Sequence, residues 1–316
     1  MPGRVWLFTD DRMDGHASAG HPERPERRLA AVDGVRDGAG DELVEASFDQ
    51  PAESELAAIH RPAYLALLKD GSDRGGGWLD GDTYLGPSSY EVACLAAGAT
   101  VAAARAAVAG EAAVAFAVVR PPGHHAAADH GSGFCILNNI AIAAAALRSD
   151  GVARRIAIVD WDVHHGDGTQ DLFDADPDLL YASTHQSPFY PGTGSASERG
   201  SREAIGTKIN RPLLAGDGDD AFVAAWVDEL LPAVEAFAPE AVLVSAGYDA
   251  HAADPLAELS VTTEGFGAVA QALGRSVARI GLAGVALTLE GGYDLQALRA
   301  ASAATVRGLL AGIDSG

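Results

Sequence analysis

Short apolar runs alternate with longer alanine-rich stretches along most of this chain. The short runs are apolar at nearly every position, which is typical of parallel strands buried on both faces. The long stretches have the length and composition of helices. This alternation predicts an α/β fold, a doubly wound parallel sheet with helices on both faces. The predicted strands are Val5–Thr9, Ala113–Val119, Arg155–Asp160, Leu179–Ser183, Ala241–Ala246 and Val285–Glu290, and the predicted helices include Ser88–Ala109, Asn138–Ser149, Asp219–Phe237, Thr263–Ile280 and Asp294–Ala311.

A chain of 316 residues has room for one large α/β domain or for two smaller ones. No linker, repeat or change of composition divides the sequence, so we expect a single domain over residues 1–316. There is no run of 18 apolar residues and no apolar stretch of a signal peptide at the start, so no membrane span is predicted. The two cysteines, Cys94 and Cys135, are too few for a disulfide framework, which favours a cytoplasmic location.

The formal net charge is −22, from 22 basic and 44 acidic side chains. A nucleic-acid partner is not expected, because binding to phosphates requires clustered cations. An acidic surface instead favours encounter with cationic substrates. Composition does not decide the oligomeric state, and a homo-oligomer stays open.

Polar side chains follow the apolar run Ile156–Val159 in the segment 160–169, which reads Asp-Trp-Asp-Val-His-His-Gly-Asp-Gly-Thr. Residues two apart in an extended chain point the same way, so Asp162 and His164 can converge just past the strand. Open α/β sheets bind their ligands at that edge. One carboxylate and one imidazole are two of the three protein ligands of a typical catalytic zinc site. Taken alone, the segment could equally be a polar loop.

Three other predicted strands are also followed by residues that could take part in catalysis or metal binding. His124 and His125 follow residues 113–119 and could serve as general base and acid, although two exposed loop histidines would look the same. Asp249 could be a third metal ligand or a helix cap. Tyr293 could donate a hydrogen bond to an oxyanion or simply pack on a helix. Together the four strand ends indicate metal-assisted hydrolysis of a carbonyl compound.

The motifs, taken in order, resemble those of the zinc-dependent histone deacetylase superfamily, which also contains acetylpolyamine amidohydrolases. The resemblance covers about residues 5–310, and its first and last motifs are most similar to the class II branch and its bacterial and archaeal relatives. The motifs are His-Pro-Glu-Arg-Pro-Glu-Arg at 21–27, Pro-Pro-Gly-His-His at 121–125, Gly-Phe-Cys-Ile-Leu-Asn-Asn at 133–139, the segment 160–169, Tyr-Pro-Gly-Thr-Gly at 190–194, Ser-Ala-Gly-Tyr-Asp-Ala-His at 245–251 and Leu-Glu-Gly-Gly-Tyr at 289–293.

The resemblance implies the arginase/deacetylase fold, with a parallel sheet of about eight strands. It implies one Zn²⁺ per chain, bound by Asp162, His164 and Asp249. Among the catalytic residues that it implies, His125 is the general base and acid, and Tyr293 stabilises the oxyanion. The remaining implied catalytic positions are the second histidine of the pair, His124, and the two carboxylates that orient the imidazoles, Asp160 and Asp167.

The resemblance also implies a K⁺ ion beneath the zinc site. This ion would be held by Asp160, by backbone carbonyl groups of Asp162 and His164, and by Ser183 with its neighbour Thr184. The implied substrate-binding residues are the tunnel walls Phe134 and Tyr190, the neighbouring Gly133 and the mouth residue Leu256. They also include Asp82, which lies where an aspartate holds the substrate backbone, and Arg27 near an acetate exit. The family usually has Phe where this chain has Tyr190.

The implied reaction is hydrolysis of an acetyl amide to acetate and a free amine. We expect the substrate to be acetyl-lysine in a protein or peptide, because apolar Leu256 stands where some polyamine-selective members carry an acid. Small acetylated amines such as acetylpolyamines are the alternative. A non-catalytic acyl-lysine binding module would not need the intact histidine pair and Tyr293, and a two-metal ureohydrolase would need more ligands. A His/Asp₂ site accepts iron or cobalt as well as zinc.

Overall fold

The computed structural model describes residues 4–316, so Met1–Gly3 of the expected domain lie outside the described residues. The strands are β1 (Val5–Phe8), β2 (Leu43–Glu45), β3 (Gly77–Trp78), β4 (Tyr84–Leu85), β5 (Val114–Ala117), β6 (Ile156–Asp160), β7 (Leu179–Gln186), β8 (Lys208–Leu213), β9 (Ala241–Ala246) and β10 (Val285–Leu289). Eight parallel strands form one central sheet, in the order β2-β1-β5-β10-β9-β6-β7-β8, and β3 and β4 form a small antiparallel hairpin. This confirms the predicted sheet.

Helices cover both faces of the sheet, because successive side chains of each buried strand point to opposite sides. Val114 and Phe116 of β5 join one hydrophobic cluster, whereas Ala115 and Ala117 join the other. The helices are α1 (Glu26–Ala39), α2 (Glu53–Ala57), α3 (Pro62–Asp73), α4 (Ser89–Ala109), α5 (Asn139–Ser149), α6 (Asp167–Leu172), α7 (Asp219–Ala224), α8 (Leu231–Phe237), α9 (Thr263–Ile280) and α10 (Leu295–Ser315).

Helix α4 is long and apolar enough to cross a membrane, alone among the helices of residues 4–316. However, 78% of its most apolar window is buried inside the protein. Its contacts are with α5 and with strands β5 and β10. The packing of α4 as a core helix therefore explains its composition.

Two of the strands that the sequence pattern did not predict lie at the edges of the sheet. Edge strands β2 and β8 are short or polar, and β8 contains Lys208, Asn210 and Arg211. In α1, Gly34 replaces an apolar side chain because the backbone of α10 packs directly against it, at Arg299. The predicted helix Asp219–Phe237 is interrupted by a π-helical segment, Ala225–Leu230, just before a proline that cannot donate a helical hydrogen bond.

All eight strands run parallel, so their carboxyl ends lie at one edge of the sheet. The four strands that precede the predicted site residues are β5, β10, β9 and β6, and they are consecutive neighbours in the sheet. The sheet therefore brings together residues that are more than 160 positions apart in the chain, such as His124 and Tyr293.

Candidate active site and metal centre

The three predicted zinc ligands converge at the carboxyl edge of the sheet. Nδ1 of His164 lies 3.0 Å from Oδ1 of Asp162 and 3.3 Å from Oδ2 of Asp249. One donor atom from each residue lies within 4.8 Å of the other two. Asp162 and Asp249 are buried, and Oδ2 of Asp249 has no hydrogen-bond partner among the described residues. A buried carboxylate oxygen without a partner is costly unless a cation compensates it, so this donor set fits a divalent metal ion.

The electrostatics of the three residues also favour a positive charge at this point. Burial lowers the pKa of His164, but the carboxylates of Asp162 and Asp249 outweigh burial and raise that pKa to about 10. The other carboxylate oxygens are held by the backbone, since Oδ1 of Asp249 accepts from Val163 N at 2.9 Å and Oδ2 of Asp162 accepts from Gly291 N at 2.8 Å. Any side chain at position 291 would collide with Oδ2 of Asp249.

The tandem histidines are oriented by two carboxylates. Nδ1 of His124 lies 3.1 Å from Oδ2 of Asp160, and Nδ1 of His125 lies 2.7 Å from Oδ1 of Asp167. Asp160 is itself fixed by the Tyr181 hydroxyl, which donates to Oδ2 at 2.9 Å. Because Nδ1 of each histidine meets a carboxylate, Nε2 is the nitrogen left to face the reacting groups.

The pKa values of the two imidazoles are shifted in opposite directions, although their ring centroids are only 4.0 Å apart. Burial would lower the pKa of His124, but the carboxylates of Asp162 and Asp160 raise it well above its ordinary value. Burial, and then the neighbouring charge of His124, lower the pKa of His125 to about 4. His125 is therefore the neutral imidazole of the pair, as a general base has to be.

A tunnel-shaped cavity of about 240 Å³ leads from the surface to these groups. The aromatic side chains of Phe134 and Tyr190 line it, and the Tyr190 ring stands edge-on to His125 with centroids 5.2 Å apart. Phe134 has a φ of 69°, an uncommon backbone conformation that no sequence pattern predicts. The predicted site residues that line this cavity are Asp82, His124, His125, Gly133, Phe134, Asp162, His164, Tyr190, Leu256 and Tyr293.

Arg27 is not among the residues that line this cavity, and its expected place near an acetate exit stays a prediction. The structure places it, fully buried, behind Tyr293. Its guanidinium group donates to Gly292 O at 2.6 Å and to Glu290 O at 2.5 Å, and its Cζ lies 4.7 Å from the centroid of the Tyr293 ring. Arg27 therefore contacts the loop of Tyr293 rather than the space that a substrate would occupy.

The predicted K⁺ ligands are only partly brought together. Asp160 and Ser183 are paired in register on β6 and β7, and the Ser183 hydroxyl lies 2.9 Å from Nδ1 of His185. The Thr184 hydroxyl points to the opposite face of β7, where it accepts from Nε1 of Trp226 at 3.0 Å. Only the backbone carbonyl of Thr184 could therefore join this site, and K⁺ binding stays a prediction.

Glu290 also supports the site, although the sequence analysis gave it no role. Its buried carboxylate accepts from Gly123 N at 2.6 Å, from His124 N at 3.2 Å and from the Ser245 hydroxyl at 3.0 Å. It thereby fixes the backbone of the tandem histidines. An acidic residue at the end of an otherwise apolar run was the available signal.

Glu23 forms the centre of a buried charge cluster that supports Arg27. Its carboxylate accepts from Nε and Nη2 of Arg120, both at 2.6 Å, and from Nη1 of Arg27 at 3.0 Å. All three side chains are fully buried. Burial alone would raise the pKa of Glu23, but the guanidinium groups of Arg120 and Arg27 lower it to about 2. Glu23 is thus ionised and compensates two buried cations.

We expect Glu23→Gln to lower the free energy of unfolding by about 3–5 kcal/mol, because it leaves buried cations without a partner. Urea unfolding followed by circular dichroism measures this. Glu45→Gln is the matched control, since Glu45 pairs with Arg36 at 2.6 Å on the surface, and it should cost about 0–1 kcal/mol. Because folding lowers the pKa of Glu23, its contribution is present above pH 4.5 and should be lost as the pH falls towards 2. Equal effects of the two substitutions would contradict this account.

Comparison with known proteins agrees with this geometry. Residues 21–309 match the sequence model of a protein family, the histone deacetylase domain. The chain belongs to the histone deacetylase family. It is 40% identical over 281 residues to the histone deacetylase-like amidohydrolase of Pseudomonas aeruginosa, covering 88% of this chain and 74% of the relative. It is 38% identical over 304 residues to the human polyamine deacetylase HDAC10, covering 91% of this chain but 44% of that protein.

The fold of this family member is shared with a solved relative. The crystal structure of the HDA15 HD domain superposes with a TM-score of 0.91 at 34% sequence identity, covering 98% of this chain and 90% of that one. The family is one of hydrolases, deacetylases and amidohydrolases, which confirms the expected enzyme class and the arginase/deacetylase fold. The names of the relatives include both histone and polyamine deacetylases, so the substrate is not decided by similarity.

Proposed function

We propose that this protein is a zinc-dependent deacetylase that hydrolyses the acetyl amide of acetyl-lysine in proteins or peptides. The observation that carries the proposal is the donor set of Asp162, His164 and Asp249, because Asp162 and His164 line the same cavity as His125 and Tyr293. When bound there, Zn²⁺ would polarise the acetyl carbonyl and lower the pKa of a water molecule. We also propose that a K⁺ ion binds at Asp160 and Ser183 and that the protein is located in the cytoplasm.

The side chains of the tunnel can carry each proton and hydrogen bond that amide hydrolysis requires. Nε2 of neutral His125 accepts the proton of the attacking water, with Asp167 stabilising the imidazolium that forms. The phenol of Tyr293 donates a hydrogen bond to the oxyanion of the tetrahedral intermediate. A protonated imidazole of the pair then donates to the leaving amine, so that acetate and a free amine result. Phe134 and Tyr190 enclose the apolar stem of the lysine.

The mouth of the tunnel bears on the choice between acetyl-lysine and a small acetylated amine. Leu256 lines the mouth and is 36% exposed, which gives an apolar contact and no charge for a polyamine. Asp82 lines the same cavity and could instead meet a protonated amine, so acetylpolyamines are the second candidate. The negative net charge suits either substrate.

A parallel assay distinguishes the two substrates. Acetate release by the zinc-loaded protein is measured with an acetyl-lysine peptide and with acetylputrescine. We expect a higher kcat/KM for the peptide. Leu256→Glu is the matched variant, because it places a carboxylate at the mouth and should raise the relative kcat/KM for acetylputrescine. Preference of the unaltered protein for acetylputrescine would contradict the assignment to acetyl-lysine.

We expect Tyr293→Phe to lower kcat by about 10²–10³-fold, because it removes one donor to the oxyanion. Steady-state acetate release measures this effect. Tyr190→Phe is the matched control, since it removes a phenol from the wall of the same tunnel without touching the oxyanion, and it should change kcat far less. A Tyr293→Phe variant that keeps the activity of the unaltered protein would rule out this role for the phenol.

A further inference from the structure

Asp254 connects the mouth of the tunnel to the loop that carries Tyr293. Its Oδ1 atom accepts from Leu256 N at 3.0 Å. Its Oδ2 atom accepts from Tyr293 N at 2.6 Å and from Asp294 N at 3.4 Å. The side chain is largely buried, with 8% of its surface exposed, so these backbone groups are its main partners. One carboxylate thus contacts both Leu256 and Tyr293, and both of these residues line the cavity.

The phenol of Tyr293 is positioned by contacts of its ring and of its backbone. Tyr293 lines the cavity, where its hydroxyl can reach an oxyanion. The ring packs between the Arg27 guanidinium and Phe134, whose ring centroid is 5.8 Å away. Among these contacts, Asp254 is the group that binds the backbone of Tyr293 itself.

The backbone around Tyr293 is held on both sides of the Asp254 bond. Before it, Gly291 N donates to Asp162, and Gly292 has a φ of 117°, which only glycine adopts readily. After it, the Asp294 side chain caps α10 by accepting from Gln296 N and Ala297 N. Asp254 therefore binds the segment between β10 and α10 at Tyr293, whose side chain lines the tunnel.

We propose that Asp254 is a positioning residue that sets the place of the Tyr293 phenol and couples it to the mouth residue Leu256. This inference rests on the proposed function, because it needs Tyr293 to act on the oxyanion. A substrate that packs against Leu256 contacts a segment that Asp254 joins to the backbone of Tyr293. Binding of the acyl-lysine stem and placement of the phenol are therefore coupled through Asp254. Displacing a reacting group by about 1 Å can cost on the order of 10²-fold in rate.

Asp254→Asn tests the proposal with little change of volume. One carboxylate oxygen becomes an amide NH₂ group, which cannot accept from a backbone N–H, so either the Leu256 bond or the Tyr293 bond is lost. We expect kcat for the acetyl-lysine peptide to fall by about 10- to 100-fold, with a KM changed by less than about threefold and an unchanged zinc content. Asp219→Asn is the matched control, since Asp219 accepts from Thr262 N at 2.7 Å in another loop, and it should leave kcat unchanged.

A double-mutant cycle separates positioning from general stability. If Asp254 acts through Tyr293, Asp254→Asn should lower kcat less than about twofold when it is introduced into Tyr293→Phe. An equal fold-loss in both backgrounds, or a full kcat in Asp254→Asn itself, would overturn the inference. If Asp254→Asn does not fold, as judged by circular dichroism, Asp254→Glu serves instead, because it keeps the charge and displaces the oxygens, and the same cycle applies.

Failure of this inference can be told apart from failure of the proposed function. If Tyr293→Phe is inactive and Asp254→Asn is fully active, the oxyanion role stands and the positioning role of Asp254 is wrong. If Tyr293→Phe is fully active, the oxyanion role is wrong, and the inference about Asp254 falls with it.

Discussion

Replacing His164 by alanine is expected to abolish tight zinc binding and to lower acetate release by on the order of 10³-fold or more. Nδ1 of His164 lies near oxygens of both Asp162 and Asp249, so its removal takes away one of the three donors of the site. Polarisation of a carbonyl by a metal ion is worth several kcal/mol in the transition state, and each 1.4 kcal/mol is about a factor of ten. Metal analysis of the purified variant and steady-state acetate release measure the two effects.

The control for this prediction is His130→Ala. His130 is an exposed histidine whose Nδ1 lies 3.0 Å from Asp129, outside the tunnel. We expect this variant to retain one zinc per chain and full activity. A His164→Ala variant that still binds one equivalent of zinc and releases acetate at the rate of the unaltered protein would show that the metal centre is not where the structure places its donors.

Replacing His125 by alanine is the second large effect, with an expected loss of about 10²–10⁴-fold in kcat and no loss of zinc. His125 is buried beside the metal ligands, its pKa is lowered to about 4 by burial and by His124, and it is therefore neutral and able to accept a proton at pH 7. Its Nδ1 is held by Asp167 at 2.7 Å. Asp167→Asn should cost less, about 10–100-fold, because it disturbs the tautomer but keeps the imidazole.

His124→Ala separates the roles of the two histidines. Burial lowers the pKa of His124, but the carboxylates of Asp162 and Asp160 raise it well above its ordinary value, which favours His125 over His124 as the base. We expect His124→Ala to be less damaging than His125→Ala at neutral pH. A larger loss in His124→Ala, with zinc content and folding unchanged, would exchange the assignments of the two residues.

The sequence predicted the central part of the fold well because buried parallel strands are apolar throughout. The bounds of β9 and α9 agree with the predicted bounds, and the strand ends were expected to meet because parallel strands share a carboxyl edge. Strands β2 and β8 were not predicted, because edge strands are partly solvated and have no continuous apolar run. Helix α1 was not predicted, and its buried face includes Gly34, where the backbone of α10 packs closely against it.

The residues of the tunnel and the carboxylates that orient the two histidines, Asp160 and Asp167, could be predicted, whereas other supporting residues could not. Asp162, His164 and Asp249 carry a metal-ligand pattern in their types and spacing. The roles of Asp254, Glu290 and Arg27 arise from contacts with backbone groups far away in the sequence, and such contacts leave no periodic signal. Arg27 illustrates this limit, because no sequence pattern predicts its contact with the Tyr293 ring, while its expected place near an acetate exit stays a prediction.

The most direct test of the central claim is a titration of metal-free protein with Zn²⁺, in which bound zinc and acetate release from an acetyl-lysine peptide are measured together. The account predicts that activity rises in proportion to bound zinc and reaches its maximum at one ion per chain, while His164→Ala stays inactive throughout. Acetate release by the metal-free protein at the full rate would contradict the account. So would the absence of acetate release from folded protein with one zinc bound at Asp162, His164 and Asp249.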